Sequence, residues 1–212
     1  MMIINDVPFI SNTPDDTHCL QAAYMSIAKY FDLKFDFSMD DWATLTGYEQ
    51  GLGTWANAGL VWFSEHGYEV KHYETFDFKE FIKSPKEYMI QIHGIEAGNW
   101  GYEHTNVPKE IERMKELLAA DIVENREPSI EDIKNGLNEG YLPRVTINAY
   151  VLDEEVGYEG HAVVITGYDD KFIILHDPGL PALANRKIPV DVFMKAWSAQ
   201  EKELDLIRLI RD

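Results

Sequence analysis

The chain has 212 residues, of which 45% are hydrophobic, and a formal charge of −18 at pH 7. A chain of this length can bury one substantial core, so we expect a single domain over residues 1–212. The excess of acidic residues argues against a nucleic-acid-binding protein, because phosphate recognition depends on clustered Lys and Arg and the sequence has no basic stripe. Most of the acidic charge is expected to be solvated surface, with attraction of a basic peptide as the less favoured alternative.

The N-terminus predicts neither a signal peptide nor a membrane span. Residues 1–8 contain no basic region and no long apolar run. Cys19 is the only cysteine, so no disulfide can form within the chain. We therefore expect a cytoplasmic protein.

Cys19 lies where an acidic, turn-forming stretch, residues 13–18, meets an apolar run, residues 20–31, that predicts a helix. A thiol in the first turn of a helix lies near unpaired backbone N–H groups and the positive end of the helix dipole, which favour the nucleophilic thiolate. A lone cysteine is more often a small buried hydrophobic residue. The catalytic interpretation therefore depends on finding a suitable base elsewhere in the chain.

The middle of the chain alternates between predicted helices and strands. Helices are predicted to begin near Ser38, Thr54, Phe76, Pro108 and Pro128, and Gly67 is predicted to end the second of them. Alternating or β-branched apolar residues predict strands at residues 68–73, 88–93, 144–148 and 204–209. A helical first part and a sheet-rich second part are typical of an α+β fold, in which a helix packs on an antiparallel sheet.

Residues 160–168 and 172–177 predict a β-hairpin, because two β-branched runs are joined by a short polar turn. If the loop has an odd number of residues, such as the three from Asp169 to Lys171, Asp177 lies opposite Val163 and diagonal to His161 on one face. A loop with an even number of residues would put Asp177 and His161 on opposite faces.

Cys19, His161 and Asp177 supply the three roles that a cysteine nucleophile needs. A base must take the thiol proton and return it to the leaving group, and an acceptor must orient the base through its other ring nitrogen. His161 follows Cys19 by 142 residues, which lies in the range known for papain and the cathepsins. The sequence thus predicts a Cys-His-Asp triad.

Several segments together resemble a known family. Residues 7–12, Cys19 at a helix start, the run Gly-His-Ala-Val-Val-Ile-Thr-Gly-Tyr-Asp-Asp at 160–170 and His-Asp-Pro-Gly at 176–179 resemble the papain-like peptidases that cleave double-glycine leaders from bacteriocin precursors. The closer resemblance is to their free-standing, mostly uncharacterised relatives, and residues 132–140 correspond to the penultimate helix of that family. The resemblance implies a papain-like α+β fold with an N-terminal helical part packed on a C-terminal antiparallel sheet. It also implies a preference for small residues before the cleaved bond.

The sequence departs from the leader peptidases at two places near the cysteine. Leu20 and Gln21 follow Cys19 where the leader peptidases usually continue with Gly-Pro. The family also has a glutamine shortly before the cysteine, whose side-chain amide helps to bind the oxyanion. Asn12 is the nearest match, but it is one methylene shorter and lies seven positions before Cys19 instead of six. The resemblance implies that Asn12 provides this amide.

We therefore expect a cysteine peptidase or amide hydrolase that works through a thioester, without a cofactor or metal ion, on a peptide or small amide. One alternative is a catalytically silent relative that binds a peptide in the same cleft. Another is an acyl or peptidyl transferase that uses the same triad. The sequence specifies neither the substrate nor the oligomeric state.

Other polar and aromatic residues receive structural interpretations. His18 is expected at the surface or as a capping residue, and His176 as a packed residue on the opposite face of its strand from Asp177. The remaining histidines lack the His-x-x-x-His spacing of a metal site, although a site assembled by folding stays open. Trp100 is either a core residue or part of a substrate groove. Residues 177–186 form either a plain connection or a stiff loop beside the cleft.

Overall fold

The computed structural model describes residues 3–32, 34–199 and 201–210. Within these ranges the helices are α1 (Cys19–Phe31), α2 (Met39–Thr46), α3 (Asn57–Glu65), α4 (Phe78–Lys83), α5 (Pro85–His93), α6 (Ile95–Glu103), α7 (Val107–Ala119), α8 (Ile130–Asn138), α9 (Ala149–Leu152) and α10 (Val190–Trp197). The strands are β1 (Ile3–Ile4), β2 (Tyr68–Glu74), β3 (Val123–Asn125), β4 (Leu142–Asn148), β5 (Gly160–Tyr168), β6 (Phe172–Asp177), β7 (Leu183–Pro189) and β8 (Glu203–Leu209).

The strands form one sheet in the order β3-β2-β8-β4-β5-β6-β7, and β1 pairs with β5 beside this path. The pairings are antiparallel except that of β2 with β3, which is parallel. The C-terminal strands therefore form the antiparallel sheet that the sequence predicts, and β2 and β3 extend it at one edge. The predicted α+β fold is confirmed.

The sheet separates two hydrophobic cores, and β5 contributes to both. Ala162 and Val164 pack in the core that also contains the buried residues of α1, whereas Val163 and Ile165 pack on the other side with Trp197 of α10. This division follows from the alternation of side chains along a strand. Burial of each large aliphatic side chain stabilises the fold by roughly 1.5–3 kcal/mol. The two cores therefore stabilise the packing of α1 and α10 on opposite faces of the sheet.

The predicted helix starts are confirmed to within a few residues. Ser38 and Ser129 each form a capping box with the acidic residue three positions later. In both boxes the serine hydroxyl accepts a hydrogen bond from a backbone N–H of the first turn, while the Asp carboxylate accepts one from the serine N–H. The helices predicted to begin near Thr54, Phe76 and Pro108 begin at Asn57, Phe78 and Val107.

The prediction of a strand at residues 88–93 is wrong, because this segment lies in α5. Pro85 stands in the first turn of that helix, where its missing N–H costs nothing, and Gly94 ends it with a φ of 83°. A β-carbon at Gly98 would lie 2.5 Å from Ile90 Cα, so α6 packs directly on the backbone of α5. Short apolar runs fit either a strand or a helix by periodicity, and the proline start decides this one.

The interpretation of residues 177–186 as a loop is wrong in its second half. Residues 183–186 belong to β7, which pairs with β6. Only residues 178–182 connect the two strands. Trp100, which the sequence left open, lies on α6 with 63% of its surface exposed and stacks on His104, so it is not a core residue.

Candidate active site

Cys19 is the first residue of α1 and is half-buried at the edge of a cavity. Burial raises the pKa of its thiol, but three other effects outweigh burial and give a net lowering. These are the hydrogen bond with His161, the positive charge of His161, and the backbone N–H groups of Ala162 and Leu20. The N–H of Leu20 belongs to the first helical turn, which is the contribution expected for a thiol at a helix N-terminus.

His161 lies near the beginning of β5 and connects Cys19 with Asp177. Its Nε2 lies 2.8 Å from Asp177 Oδ1, and its side chain also forms a hydrogen bond with Cys19. Burial lowers the pKa of His161, but the hydrogen bond to Asp177 and the interactions with Cys19 raise it to about 10. Because Nε2 is engaged by Asp177, Nδ1 is the ring nitrogen that remains for the thiol.

Asp177 is the last residue of β6 and is only 6% exposed. Its Oδ1 accepts hydrogen bonds from His161 and from the backbone N–H of Gly179 at 3.1 Å, and its Oδ2 accepts one from Arg186 Nη1 at 2.7 Å. Burial raises the pKa of this carboxyl, but His161 and Arg186 outweigh it and lower the pKa overall. Asp177 is therefore an ionised acceptor held from three directions.

The register of the hairpin brings His161 and Asp177 to the same face. β5 ends at Tyr168 and β6 begins at Phe172, so the three residues 169–171 connect the strands. Tyr168 pairs with Ile173, but a β-bulge between Ile165 and Gly167 shifts the register by one, and Val164 pairs with His176. The register beyond the bulge is the one expected for the odd loop, in which Asp177 stands opposite Val163.

Arg186 is a member of this cluster that sequence reasoning missed. It pairs with Leu175 across the β6–β7 ladder, so its side chain shares a face with Asp177, two residues further along. The guanidinium contacts both Asp177 and Asp153. Recognition of residues 183–186 as a strand would have placed Arg186 here, because the register determines its neighbours.

Asn12 is buried beside the same loop, but its side chain is already engaged. Its Oδ1 accepts hydrogen bonds from the backbone N–H groups of Thr13 at 2.9 Å and His18 at 2.7 Å, while its Nδ2 donates to Asp16 at 2.6 Å. The backbone N–H of Asn12 donates to the carbonyl of Pro178 at 2.9 Å. Asn12 therefore ties the segment before Cys19 to the turn after Asp177.

Two further histidines lie near the site and have structural partners. His18 is buried, not at the surface as predicted, and its Nδ1 lies within hydrogen-bond distance of the hydroxyls of Thr13 and Thr17. Its side chain caps no helix, although it occupies the N-cap position of α1. The predicted packing of His176 is confirmed, because its ring is buried and contacts the backbone carbonyl of Val7 at 2.8 Å.

Two cavities flank the pair formed by Cys19 and His161. The first has a volume of about 310 Å³ and is bordered by Cys19. The second has a volume of about 430 Å³ and is bordered by His161, Asp177 and Asp16. One cavity thus borders the sulfur of Cys19 and the other borders the imidazole of His161.

No group of three or more His, Cys, Asp or Glu side chains in the described residues has an arrangement that could hold a metal ion. The same ranges contain no helix with the length and apolar character that a bilayer crossing requires.

Sequence comparisons match two parts of the chain. A model of the Peptidase_C39 like family matches residues 106–204, which is nearly half of the chain. An uncharacterized protein of Bacillus subtilis (strain 168), YvpB, is 39% identical over 54 residues. That match covers 26% of this chain and 21% of YvpB, so the chain aligns with about a fifth of the length of this relative.

Solved structures match almost the whole chain at low sequence identity. A candidate C39-like peptidase from Bacillus anthracis has a TM-score of 0.58 and 14% identity, with complete coverage of both chains. A double-glycine-motif protease of an AMS/PCAT transporter, solved with the leader peptide, has a TM-score of 0.52 and 14% identity, covering 98% of this chain and 95% of the other. The peptidase domain of Streptococcus ComA has a TM-score of 0.51 and 12% identity, covering 95% of this chain and 98% of the other.

The resemblance that the sequence motifs indicate is confirmed, and the chain has the papain-like fold of the C39-like peptidases, with a match to their family model over residues 106–204.

Proposed function

We propose that the protein is a cysteine peptidase or amide hydrolase of the C39-like type, with Cys19, His161 and Asp177 as its catalytic residues. The observation that carries the proposal is that one imidazole contacts both other groups. His161 forms a hydrogen bond with Cys19 and places Nε2 2.8 Å from Asp177. A cysteine nucleophile needs this geometry, with a base that is itself oriented by an acceptor.

In the proposed reaction the Cys19 thiolate attacks the amide carbonyl and forms a C–S bond. His161 donates its Nδ1 proton to the amine, so that the C–N bond breaks and a thioester remains. His161 then takes a proton from water, the hydroxide attacks the thioester, and the C–S bond breaks, which releases the acid and restores the thiolate–imidazolium pair. Asp177 keeps the imidazole oriented and stabilises its positive charge during both steps.

The oxyanion is proposed to receive hydrogen bonds from the backbone N–H of Cys19 and from the side-chain amide of Asn12. An asparagine amide has two donor protons, and the contact with Asp16 uses one of them. The second amide proton of Asn12 is the one that would bind the oxyanion. Loss of an oxyanion donor reduces the rate in other enzymes by about a hundredfold or more.

The proposed substrate is a peptide or small amide. We also propose that residues 1–212 form one domain. One of the structural neighbours was solved with a leader peptide, and by analogy we propose a peptide for this chain. The space on both sides of the Cys19–His161 pair suits a chain that continues past the cleaved bond.

A catalytically silent peptide-binding relative is the second candidate, and the engagement of Asn12 favours it. The amide that would serve the oxyanion donates to Asp16 and supports a loop instead. Gln21, which stands where the leader peptidases have proline, is buried and donates to Thr46 at 2.9 Å, so it does not replace Asn12 at the cleft. An acyl or peptidyl transferase would differ only in the nucleophile that resolves the thioester.

The test measures cleavage of a peptide library by mass spectrometry with the wild-type protein and the Cys19→Ala variant. We expect cleavage that disappears in Cys19→Ala, together with alkylation of Cys19 by iodoacetamide that is faster near neutral pH than that of free cysteine. Products extended by an added amine would identify a transferase. Alkylation no faster than free cysteine, with no difference in turnover between the two proteins, would establish the binding protein instead.

A further inference from the structure

The cavity beside Cys19 is walled mainly by charged and aromatic side chains. Glu203 and Arg144 line it on the sheet side, together with Thr146 and Ala162, and Trp55 and Phe76 line it on the helical side. It borders the sulfur directly, so a group attached to the amide that Cys19 attacks has this space available. The chemistry of these walls therefore bears on which substrates fit.

Arg144 and His72 are the cations of this wall, and both are buried. Arg144 forms ion pairs with Glu203 and Asp205. His72 places Nδ1 2.6 Å from Asp205 and Nε2 2.9 Å from Glu74. Burial lowers the pKa of His72, but the two carboxylates raise it to about 10, so His72 is positively charged at neutral pH.

Acidic groups outnumber these two cations. Glu201 also lines the cavity, 40% exposed, and lies 4.0 Å from His93, which lines the cavity as well. Glu74, Glu201, Glu203 and Asp205 are thus four carboxyl groups in or behind this wall. Burial raises the pKa of Glu74, but even with Glu74 neutral the other three exceed the two buried cations. Among the described residues, the Glu203 carboxylate accepts hydrogen bonds from Arg144 and Thr146, and both of them engage Oε1. Oε2 of Glu203 is therefore available as an acceptor.

The deeply buried groups of the wall are paired with one another. His72 Nε2 lies 2.9 Å from Glu74 Oε1, and Arg144 Nη2 lies against Asp205. The carboxylates that a ligand in the cavity can reach are those of Glu203 and Glu201, whose side chains are 22% and 40% exposed. The aromatic rings of Trp55 and Phe76 add surfaces that attract cations.

We propose that the cavity beside Cys19 binds a positively charged side chain of the substrate, an amine or guanidinium, with Glu203 and Glu201 as its acceptors. The inference rests on the proposed function, because that function brings a substrate to Cys19. The substrate class is then peptides or amides with a basic residue next to the cleaved bond. A positively charged group can donate to Oε2 of Glu203 and to Glu201, whereas a neutral side chain of the same shape lacks the charge that these carboxylates attract.

The test compares arginine with citrulline, which has nearly the same shape without the charge. Internally quenched peptides carry either residue at one position at a time around the cleaved bond. We expect kcat/KM to favour arginine at least about tenfold at one position, a difference of about 1.4 kcal/mol. Glu203→Gln and Glu201→Gln should each reduce that ratio, the second without disturbing the buried ion pairs of Arg144.

Glu112→Gln is the matched control for the overall acidity of the protein. Glu112 is 70% exposed on α7 and pairs with Lys115, and it does not line the cavity. Its removal changes the net charge by the same amount, so the arginine preference should be unchanged. An equal fall in the ratio for Glu112→Gln would attribute the preference to long-range attraction and overturn the proposed pocket.

A binding experiment distinguishes failure of this inference from failure of the proposed function. N-acetylarginine amide and N-acetylcitrulline amide are titrated into the Cys19→Ala protein. Binding is measured from the NMR chemical shifts of the residues around the cavity. Tighter binding of the arginine compound supports the pocket even if no peptide is cleaved. Cys19-dependent cleavage without any preference for arginine, or equal binding of the two amides, would overturn the pocket and leave the proposed function standing.

Discussion

At the scale of single residues, the ionisation of Cys19 and His161 decides what this site can do. Against the effect of burial, the hydrogen bond and positive charge of His161 lower the pKa of Cys19, while Asp177 and Cys19 raise that of His161 to about 10. Both shifts favour the thiolate and imidazolium form of the pair. The thiolate is the reactive form of cysteine, so reactivity should begin below the pH at which an ordinary thiol ionises.

Removal of His161 should shift this ionisation upward. In His161→Ala the hydrogen bond and the positive charge are lost, and only the backbone N–H groups of Ala162 and Leu20 still oppose the effect of burial on the pKa of Cys19. We expect the midpoint of the pH profile for iodoacetamide alkylation to rise by about one pH unit or more, with a corresponding tenfold slower reaction near neutral pH. The rate is measured by mass spectrometry from about pH 4 to 10.

The exposed histidine at the end of α3 provides a control. His66→Ala removes a residue of the same type that contacts the backbone of Trp62 and not Cys19, and its alkylation profile should coincide with that of the wild type. Coincidence of the His161→Ala profile with the wild type would contradict the ion pair.

At the scale of elements, the β5–β6 hairpin determines whether His161 meets Asp177. The sequence predicted both strands, because the β-branched runs are long and the turn is polar. It did not predict the bulge between Ile165 and Gly167, which shifts the register by one. A bulge is an adjustment of backbone pairing, and this bulge lies next to the segment of β5, Gly167 and Tyr168, that pairs with β1.

Gly167 allows β1 to lie against the bulge, so substitution there should be costly. A β-carbon at this position would lie 2.2 Å from the carbonyl oxygen of Ile3, a backbone atom that cannot turn aside. We expect Gly167→Ala to lower the free energy of unfolding by roughly 1–3 kcal/mol, the usual cost of overpacking. Urea denaturation measures the change.

Gly53→Ala is the comparison for this variant, because a β-carbon there would have only an ordinary contact of 3.6 Å with the carbonyl of His104. Its stability should stay within about 0.5 kcal/mol of the wild type. A Gly167→Ala protein as stable as Gly53→Ala would show that β1 is not held closely against β5.

At the scale of the whole molecule, a buried ion network joins the two halves of the chain. Arg144 of β4 pairs with Asp205 of β8, which also pairs with His72 of β2 and lies 3.5 Å from the hydroxyl of Tyr24 on α1. The helix that carries Cys19 and the central strands thus share one charged centre. A charge left alone in such a place is strongly destabilising.

Arg144→Met should therefore destabilise the protein by roughly 3–5 kcal/mol, because Asp205 loses its main counter-charge. The double variant Arg144→Met with Asp205→Leu should recover a large part of that loss, since neither charge remains. Both are measured by urea denaturation, in which we expect one cooperative transition for a single domain. A double variant less stable than Arg144→Met alone would contradict this account.

The order of residue types along the chain was sufficient to predict the α+β class, most helix starts and the three residues proposed as catalytic. Those predictions rest on local signals, such as the serine caps at Ser38 and Ser129 and the β-branched strands of the hairpin. The strand predicted at residues 88–93 failed because a short apolar run fits a helix equally well. The proline before it and the packing of α6 against it decided the outcome.

The tertiary structure alone decided which groups surround those residues. Arg186 reaches Asp177 through the β6–β7 register, and His72, Arg144 and Glu203 converge on the cavity beside Cys19 from three strands. None of these neighbours is marked by spacing along the chain, because contacts across a sheet depend on pairing and on bulges. The sequence by itself therefore determined the nucleophile, the base and its partner as candidates. Their charge states and the chemistry of the adjacent cavity follow from burial and long-range pairing, which exist only in the folded chain.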